Sequence, residues 1–135
     1  MTSNDATAST ADGSTSGYRW EAMTPALEGP GVQIRRADDD GLAQCLIRLA
    51  AGVRTDPLFA GLPDDACQCA HWGYIISGTM RVHGQDGARD YAAGEVYYWP
   101  PGHNLEAVSD AVYLEISRAG EYDELMAHCR RAMAA

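Results

Sequence analysis

Four side chains that can bind a transition metal occur in two short segments of the sequence. Cys67, Cys69 and His71 are spaced two residues apart, and His103 follows a Pro-Pro-Gly turn. Thiolate and imidazole groups are the ligands that zinc and other d-block metals prefer. The types of these residues therefore predict a metal site.

The spacing within the first segment brings its three ligands together. Side chains on an extended strand alternate between two faces, so Cys67, Cys69 and His71 would share one surface. A tetrahedral site needs a fourth ligand, and His103 supplies it if the two segments pair in space. We expect zinc, in a structural site if all four residues bind it and in a catalytic site if only three do.

Candidate catalytic and pocket residues lie beside these ligands. His71 and His103 are themselves candidate catalytic groups, and Glu106 is a candidate general acid or base near His103. Five aromatic residues crowd the two segments and could line a ligand pocket: Tyr97 and the four favoured candidates Trp72, Tyr74, Tyr98 and Trp99. Alternation along the strand places Tyr98 and Trp99 on opposite faces, so only one of the two can point inward.

Short apolar runs separated by turn residues predict the elements that hold these side chains. The predicted strands cover residues 32–36, 42–49, 70–76, 79–83, 95–99, 105–108 and 112–117. Many short strands with such turns favour an antiparallel sandwich or barrel. A long loop is expected over residues 53–66 and a helix over residues 122–133, whereas residues 18–30 are compatible with a short turn or an edge segment.

Length and charge limit the possible architectures and partners. The 135 residues fit one core, and the Ser-, Thr-, Ala- and Asp-rich residues 1–17 predict a disordered tail before a single domain over residues 18–135. The net charge of −9, with scattered arginines, argues against nucleic-acid and membrane partners. The chain starts without an apolar signal segment, so we expect a cytoplasmic protein with reduced cysteines.

The two segments resemble the motifs of the cupin family. The second cupin motif has a glycine, a proline and a second glycine at fixed spacing, followed closely by histidine, and Gly94, Pro100 and Gly102 match it. The first motif ends in a tyrosine-led apolar strand and a glycine, which residues 74–78 resemble. The resemblance covers about residues 31–120 and implies an all-β fold, an antiparallel jelly-roll barrel, here with one C-terminal helix.

The metal-ligand positions differ from the usual cupin pattern. His71 stands where that pattern has glutamate, Cys67 where it has the second histidine, and Asp65 where it has the first. In the second motif Leu105 holds the usual histidine position, and His103 lies two residues earlier. Two thiols and two imidazoles thus replace three imidazoles and one carboxylate, which favours zinc over iron-type chemistry.

The resemblance leaves three functions open. The first is a small-molecule enzyme, with a cyclase or isomerase step of natural-product metabolism in the barrel, where the metal polarises a carbonyl or His71 moves a proton. The second is a metal-free pocket that promotes a pericyclic ring closure by shape. The third is a non-catalytic metal- or ligand-binding protein. The resemblance to small cupins also implies a homodimer in which two copies pair edge strands, and residues 18–36 could supply such an edge.

Overall fold

The computed structural model describes residues 13–135. Residues 13–17 carry no helix or strand, and the Ser16 hydroxyl donates a hydrogen bond of 2.7 Å to the Asp39 carboxylate. The remainder of the expected disordered tail, residues 1–12, lies outside the described residues. A short 3-10 helix, Trp20–Ala22, precedes the first strand, so the ambiguous segment 18–30 contains both a turn of helix and an edge strand.

Two antiparallel sheets form the barrel. The strands are β1 (Thr24–Gly29), β2 (Val32–Asp39), β3 (Leu42–Leu49), β4 (His71–Ser77), β5 (Thr79–Gly84), β6 (Gly87–Ala92), β7 (Val96–Trp99), β8 (Asn104–Ala107) and β9 (Ala111–Arg118). The larger sheet has the order β1-β2-β3-β9-β4-β7, and the smaller has the order β6-β5-β8. Every pairing among these strands is antiparallel, which confirms the expected fold class.

Burial alternates along the strands of the larger sheet. On β9, Tyr113, Glu115 and Ser117 are buried, while the side chains between them are half-buried. A period of two is the pattern of a strand that packs one face on a core. Two of these three inward side chains are polar, so β9 brings polar groups into the barrel interior.

Strand β6 was not predicted, and the sequence leaves β1 open as a possible edge segment. The β6 side chains are almost all exposed, so this strand lacks the apolar alternation by which strands are recognised in a sequence. β1 contains Pro25 and an irregular register between Pro25 and Leu27, features that are tolerated at a sheet edge. Strand β1 forms by backbone pairing with β2, and β6 forms by backbone pairing with β5.

Two helices cover one end of the barrel. The expected loop over residues 53–66 contains helix α1 (Asp56–Phe59) and a 3-10 turn, and Phe59 is buried in the core. Helix α2 (Ala119–Ala134) follows β9 directly and is longer than the predicted 122–133. No helix among residues 13–135 is both long enough and apolar enough to cross a membrane.

The apolar face of α2 fills the end of the barrel. Tyr122, Leu125, Met126 and Cys129 are its buried residues. Only about 40 Å³ of free space remains between this face and the barrel wall. The helix is also held by an ion pair of 2.8 Å between Arg36 and Asp123.

Candidate metal centre

Backbone hydrogen bonds join the two segments that were expected to converge. The Cys67 amide donates to the His103 carbonyl oxygen over 2.9 Å, and the Gly102 amide donates to the Cys67 carbonyl oxygen over 2.7 Å. On the adjoining strands, His71 at the start of β4 pairs with Trp99 at the end of β7. The second segment therefore lies alongside the first, as a shared site requires.

Three donor atoms meet inside the barrel. The ligand atoms offered by Cys67, His71 and His103 all lie within 4.8 Å of one another. The Cys67 Sγ atom is 3.5 Å from His71 Nε2, and the two imidazole ring centroids are 5.1 Å apart. Two ligands of one tetrahedral zinc ion, at about 2.3 Å for sulfur and about 2.0 Å for nitrogen, are separated by about 3.5 Å. The distance between Cys67 Sγ and His71 Nε2 matches that separation.

Hydrogen bonds at the other ring nitrogens orient both histidines. His103 Nδ1 donates to the Pro100 carbonyl oxygen over 2.7 Å, which leaves the lone pair on His103 Nε2. That Nε2 atom is buried and has no hydrogen-bond partner among the described residues. His71 Nδ1 lies 2.7 Å from the Ser117 hydroxyl, so His71 Nε2 faces Cys67. Metal-binding histidines usually engage their second nitrogen in this way.

Burial sets the protonation states of the three donors. Desolvation lowers the pKa of His71 well below its usual range, with a further contribution from His103, and it also lowers the pKa of His103. Both imidazoles are therefore neutral near pH 7, which is the form that binds metal. Desolvation raises the pKa of the Cys67 thiol, so this group must lose a proton when a metal binds.

The donor set and the buried, unpartnered His103 Nε2 atom fit a d-block metal ion. An imidazole nitrogen that is buried without a partner is unfavourable unless something binds it. The Cys69 amide also donates to Cys67 Sγ over 3.4 Å, a contact that stabilises a thiolate. Cys67, His71 and His103 would hold the ion and leave a fourth position for another ligand.

Glu115 is a buried carboxyl group beside the donors that the sequence analysis missed. It lies on the inward face of β9, is 3% exposed, and has Oε1 3.7 Å from His71 Nε2. Desolvation raises the pKa of Glu115 to about 8, although Tyr122 acts to lower it. The carboxyl group is therefore largely protonated at pH 7. The sequence did contain a signal for this position: Glu115 lies two residues after Tyr113, so both share one face of the predicted strand.

Cys69 lies outside the three-donor cluster, contrary to the four-ligand set expected from the sequence. Strand β4 begins only at His71, so residues 67–70 do not follow the alternation on which that expectation rested. The Cys69 Sγ atom contacts the Ala70 carbonyl oxygen at 3.7 Å, and Cys69 lines a groove beside α2. Its amide contacts Cys67 Sγ, and its thiol is not part of the donor cluster.

Glu106 also lies away from the donors. On β8, Leu105 and Ala107 are buried, and Glu106 therefore points to the opposite face. There its carboxylate forms an ion pair with Arg54 at 2.9 Å and lies within hydrogen-bond distance of His83 Nε2, at 3.1 Å. The structure thus separates this candidate acid or base from His103.

The four candidate pocket residues divide between two faces. Trp72, Tyr74 and Tyr98 are 38%, 41% and 51% exposed on the outside of the large sheet. Trp99 is fully buried, with its ring centroid 6.2 Å from that of His103. Tyr97, which is not among the four favoured candidates, stacks on Trp99 with the ring centroids 3.7 Å apart. The face of β7 that carries Tyr97 and Trp99 is therefore the one that packs against the core.

The free volume beside the donors is small. The cavity of about 40 Å³ is lined by His71, Glu115 and Tyr122 together with aliphatic side chains of the barrel and of both helices. Pockets for small organic ligands are usually about 300–1,000 Å³. A wider groove of about 490 Å³ lies between α2 and residues 62–69, separated from the donors by Cys69.

Solved structures with the same architecture identify the fold. A cupin described as RmlC-like from Shewanella frigidimarina NCIMB 400 is 17% identical over 82% of this chain and 96% of its own, with a TM-score of 0.60. KdgF from Halomonas sp. is 17% identical over 78% of this chain and 94% of its own, with a TM-score of 0.58. The chain has the cupin fold.

Other cupin neighbours are parts of larger enzymes. Oxalate decarboxylase from Bacillus subtilis is 21% identical over 84% of this chain, with a TM-score of 0.57, and the chain spans 31% of that enzyme. No family model matches the sequence, and the search of curated proteins found no match. The resemblance to cupins is thus confirmed at the level of the fold, which some small-molecule enzymes share.

Proposed function

We propose that this cupin is a metal-dependent enzyme that acts on a small organic molecule in the barrel interior. The observation that carries the proposal is the buried His103 Nε2 atom, which has its lone pair directed into the barrel and no partner among the described residues. His71 and Cys67 provide the other two donors of the site.

Zinc is the metal that the donor chemistry favours. One thiolate with two imidazoles suits zinc, whereas magnesium and calcium prefer oxygen ligands. A three-residue zinc site with an open fourth position supplies Lewis-acid polarisation of a bound oxygen atom. Cys67, His71 and His103 would hold the ion, and Ser117 and Pro100 would keep the two imidazoles oriented.

Glu115 makes a proton-transfer reaction the best-supported chemistry. Its carboxyl group is buried 3.7 Å from His71 Nε2, where it could exchange a proton with a substrate held at the ion. The apolar lining around it excludes water. We therefore propose that the reaction is an isomerisation or a cyclisation. Cupins in natural-product metabolism carry out similar reactions. His71 and Glu115 would be the residues beside the reacting atoms, in place of the Glu106 expected from the sequence.

Substrate entry requires a change at α2. The free volume of about 40 Å³ holds no more than a few atoms, and Tyr122, Leu125 and Met126 of α2 occupy the adjoining space. The side chains around the cavity are mostly apolar, which suits an uncharged substrate. We propose that α2 shifts to admit it.

A closed, non-catalytic metal site is the second candidate. The exposed fractions of Cys67, His71 and His103 are 0%, 1% and 2%. A structural zinc site has all four positions filled by protein ligands, so this candidate requires a fourth donor besides these three. Such a site would stabilise the barrel by tying the second motif to the first.

Elemental analysis of the untagged protein tests the proposal. We expect about one zinc per chain, and its loss in the Cys67→Ser variant. Cys69→Ser is the matched control, because the structure places this neighbouring thiol outside the donor cluster. Retention of metal by Cys67→Ser would show that the ion is held without this thiol, and absence of metal from the wild-type protein would support the metal-free pocket instead.

Cobalt substitution separates the two metal-bound candidates. Cobalt(II) at a site with Cys67 as a ligand gives a thiolate charge-transfer band, and azide is a small ligand for an open position. We expect azide to change the cobalt spectrum if the fourth position is open and reachable. An unchanged spectrum at saturating azide would favour the closed structural site.

The proposal includes a cytoplasmic location and a homodimer. All four cysteines are free thiols in the structure, which suits a reducing compartment. Self-association follows from the resemblance to small cupins, and it requires a surface on which two copies can meet.

A further inference from the structure

The outer face of β9, β4 and β7 presents an uninterrupted apolar surface. Strand pairing aligns Ile116, Trp72 and Tyr98 in one row across the three strands, and Leu114, Tyr74 and Val96 in the next. Ile76 follows on β4 and is 47% exposed. We refer to these seven residues as the outer patch.

The outer patch is large for a protein surface. Its most exposed members are Trp72 at 38%, Tyr74 at 41%, Ile76 at 47%, Tyr98 at 51% and Val96 at 80%. Together they expose on the order of 500 Å², near the upper end of the largest patch on a typical monomer. Two such patches in contact would bury about 1,000 Å², the threshold for a specific interface.

The other half of the same sheet is covered by the chain itself. Trp20 lies under the guanidinium groups of Arg35 and Arg48 on β2 and β3, at 4.8 Å and 3.9 Å from the ring centroid. Met23 packs against Ala37 and the half-buried Leu46 on the same face. The segment around Trp20 and Met23 therefore shields β2 and β3, whereas the outer patch has no such cover among residues 13–135.

The remaining segment of the chain is a poor cover for the outer patch. Residues 1–12 offer only Met1 and three alanines as apolar side chains, and the rest are Thr, Ser, Asn and Asp. Such a segment cannot bury enough apolar surface to offset its ordering. Another molecule is therefore a better cover for the outer patch than residues 1–12.

Charge favours a second copy of this chain as that molecule. The outer patch contains no Asp, Glu or Arg. Its border includes Arg118, whose guanidinium group lies 5.2 Å from the centroid of the Trp72 ring and 3.8 Å from the Glu121 carboxylate. Two chains of net charge −9 repel one another wherever carboxylates approach. A face free of carboxylates is where two copies can meet with little repulsion.

We propose that two copies of this chain pair through the outer patch, sheet against sheet, around a two-fold axis. Sheets of equal twist pack face to face with their strands at about 30°, so the same face is complementary to itself. This inference rests on the proposed homodimer and is independent of the metal. It places the interface toward β7, at the opposite edge of the large sheet from β1 and the residues 18–36 expected from the sequence.

The dimer surface backs directly onto the candidate metal centre. Trp72 of the outer patch is adjacent in sequence to His71, and Tyr98 is adjacent to Trp99. On the same two strands, His71 and Trp99 point inward and are paired in register. Dimerisation would therefore hold the strands that carry the site in a fixed position.

Sedimentation equilibrium of the untagged, full-length protein tests the inference. We expect the wild type to have twice the 14.5 kDa mass of the chain. Val96→Glu would place two carboxylates near the axis and raise the dimer dissociation constant at least about tenfold, because opposed like charges are strongly unfavourable. Tyr98→Ser should act in the same direction. Val108→Glu is the matched control, since Val108 is an exposed valine outside the outer patch.

The results separate this interface from other modes of assembly. A dimer weakened by Val96→Glu but not by Val108→Glu, with circular dichroism and metal content unchanged, supports the outer patch. A wild type that is monomeric at about 100 µM overturns both the homodimer and this interface. A dimer that resists both patch variants overturns the interface alone and favours another edge. A different polypeptide that co-purifies with the wild type and is lost from Val96→Glu overturns pairing with a second copy.

Discussion

The Nε2 atom of His71 lies 3.5 Å from the Sγ atom of Cys67, four residues earlier in the chain. This approach depends on the irregular backbone over residues 67–70, which brings the Cys67 side chain back toward the first residue of β4. His103 joins them because its segment is paired to Cys67 by backbone hydrogen bonds. The donor cluster is therefore built into the barrel before any ligand arrives.

Removal of the metal should lower the thermal stability of the protein. A ligand that binds only the folded state at 100- to 1,000-fold above its dissociation constant stabilises it by about 3–4 kcal/mol. For a chain of this length the melting temperature should fall by about 10 °C after EDTA treatment and dialysis, and zinc should restore it. Scanning calorimetry measures the shift. An EDTA-treated protein that melts with the untreated one would contradict a bound metal.

Ser117→Ala should weaken metal binding without removing a ligand. Ser117 is fully buried and holds His71 Nδ1 at 2.7 Å, so its loss frees the imidazole to rotate. Loss of such an orienting contact usually reduces metal affinity by about 10- to 100-fold. Competition with a chromogenic chelator gives the affinity. Ser77→Ala on the exposed end of β4 is the control, and equal affinities in the two variants would refute the orienting role.

The parts of the site that depend on local spacing could be predicted from the sequence. The turn before His103 and the spacing from Cys67 to His71 predict a cluster, and both segments do meet in the barrel. The position of Cys69 could not be predicted, because it depends on where β4 begins. Residues 67–70 are not part of a strand, and this is enough to turn the Cys69 side chain toward α2.

Long-range pairing explains the other differences. Glu115 reaches the site only because β9 lies beside β4, although the strands β5 to β8 lie between them in the chain. The inward face of β7 likewise depends on which side of the large sheet the barrel closes. Strand alternation alone predicts that Tyr98 and Trp99 diverge, but not which one enters the core.

Metal affinity should rise with pH through the neutral range. Burial raises the pKa of the Cys67 thiol, so the metal-free protein holds this proton while the bound form does not. Burial lowers the pKa of His71 and of His103, so neither imidazole has a proton to release near pH 7. The apparent zinc association constant should therefore increase about tenfold per pH unit between about pH 6.5 and 7.5.

Calorimetric titration in two buffers of different ionisation enthalpy measures the proton release directly. About one proton per zinc is expected from Cys67, measured in a Glu115→Gln variant so that the neighbouring carboxyl group contributes none. An affinity that is flat with pH, together with no proton release, would mean that no protonated thiol takes part in binding.

Gly73→Ala should destabilise the barrel strongly. A Cβ atom at Gly73 would overlap the Leu114 carbonyl oxygen and the Tyr97 hydroxyl group. That hydroxyl crosses Gly73 to donate a hydrogen bond of 2.9 Å to the Leu114 oxygen, which ties β7 to β9 over the glycine. The extra methyl must displace the Tyr97 ring and its stacking on Trp99, so we expect the free energy of unfolding in urea to fall by about 2–4 kcal/mol.

Gly120→Ala is the control, because no atom lies within 4 Å of its Cβ position. This substitution in α2 should raise the free energy of unfolding by up to about 1 kcal/mol. Equal stabilities for the two variants would show that β4 can move away from Tyr97 at little cost.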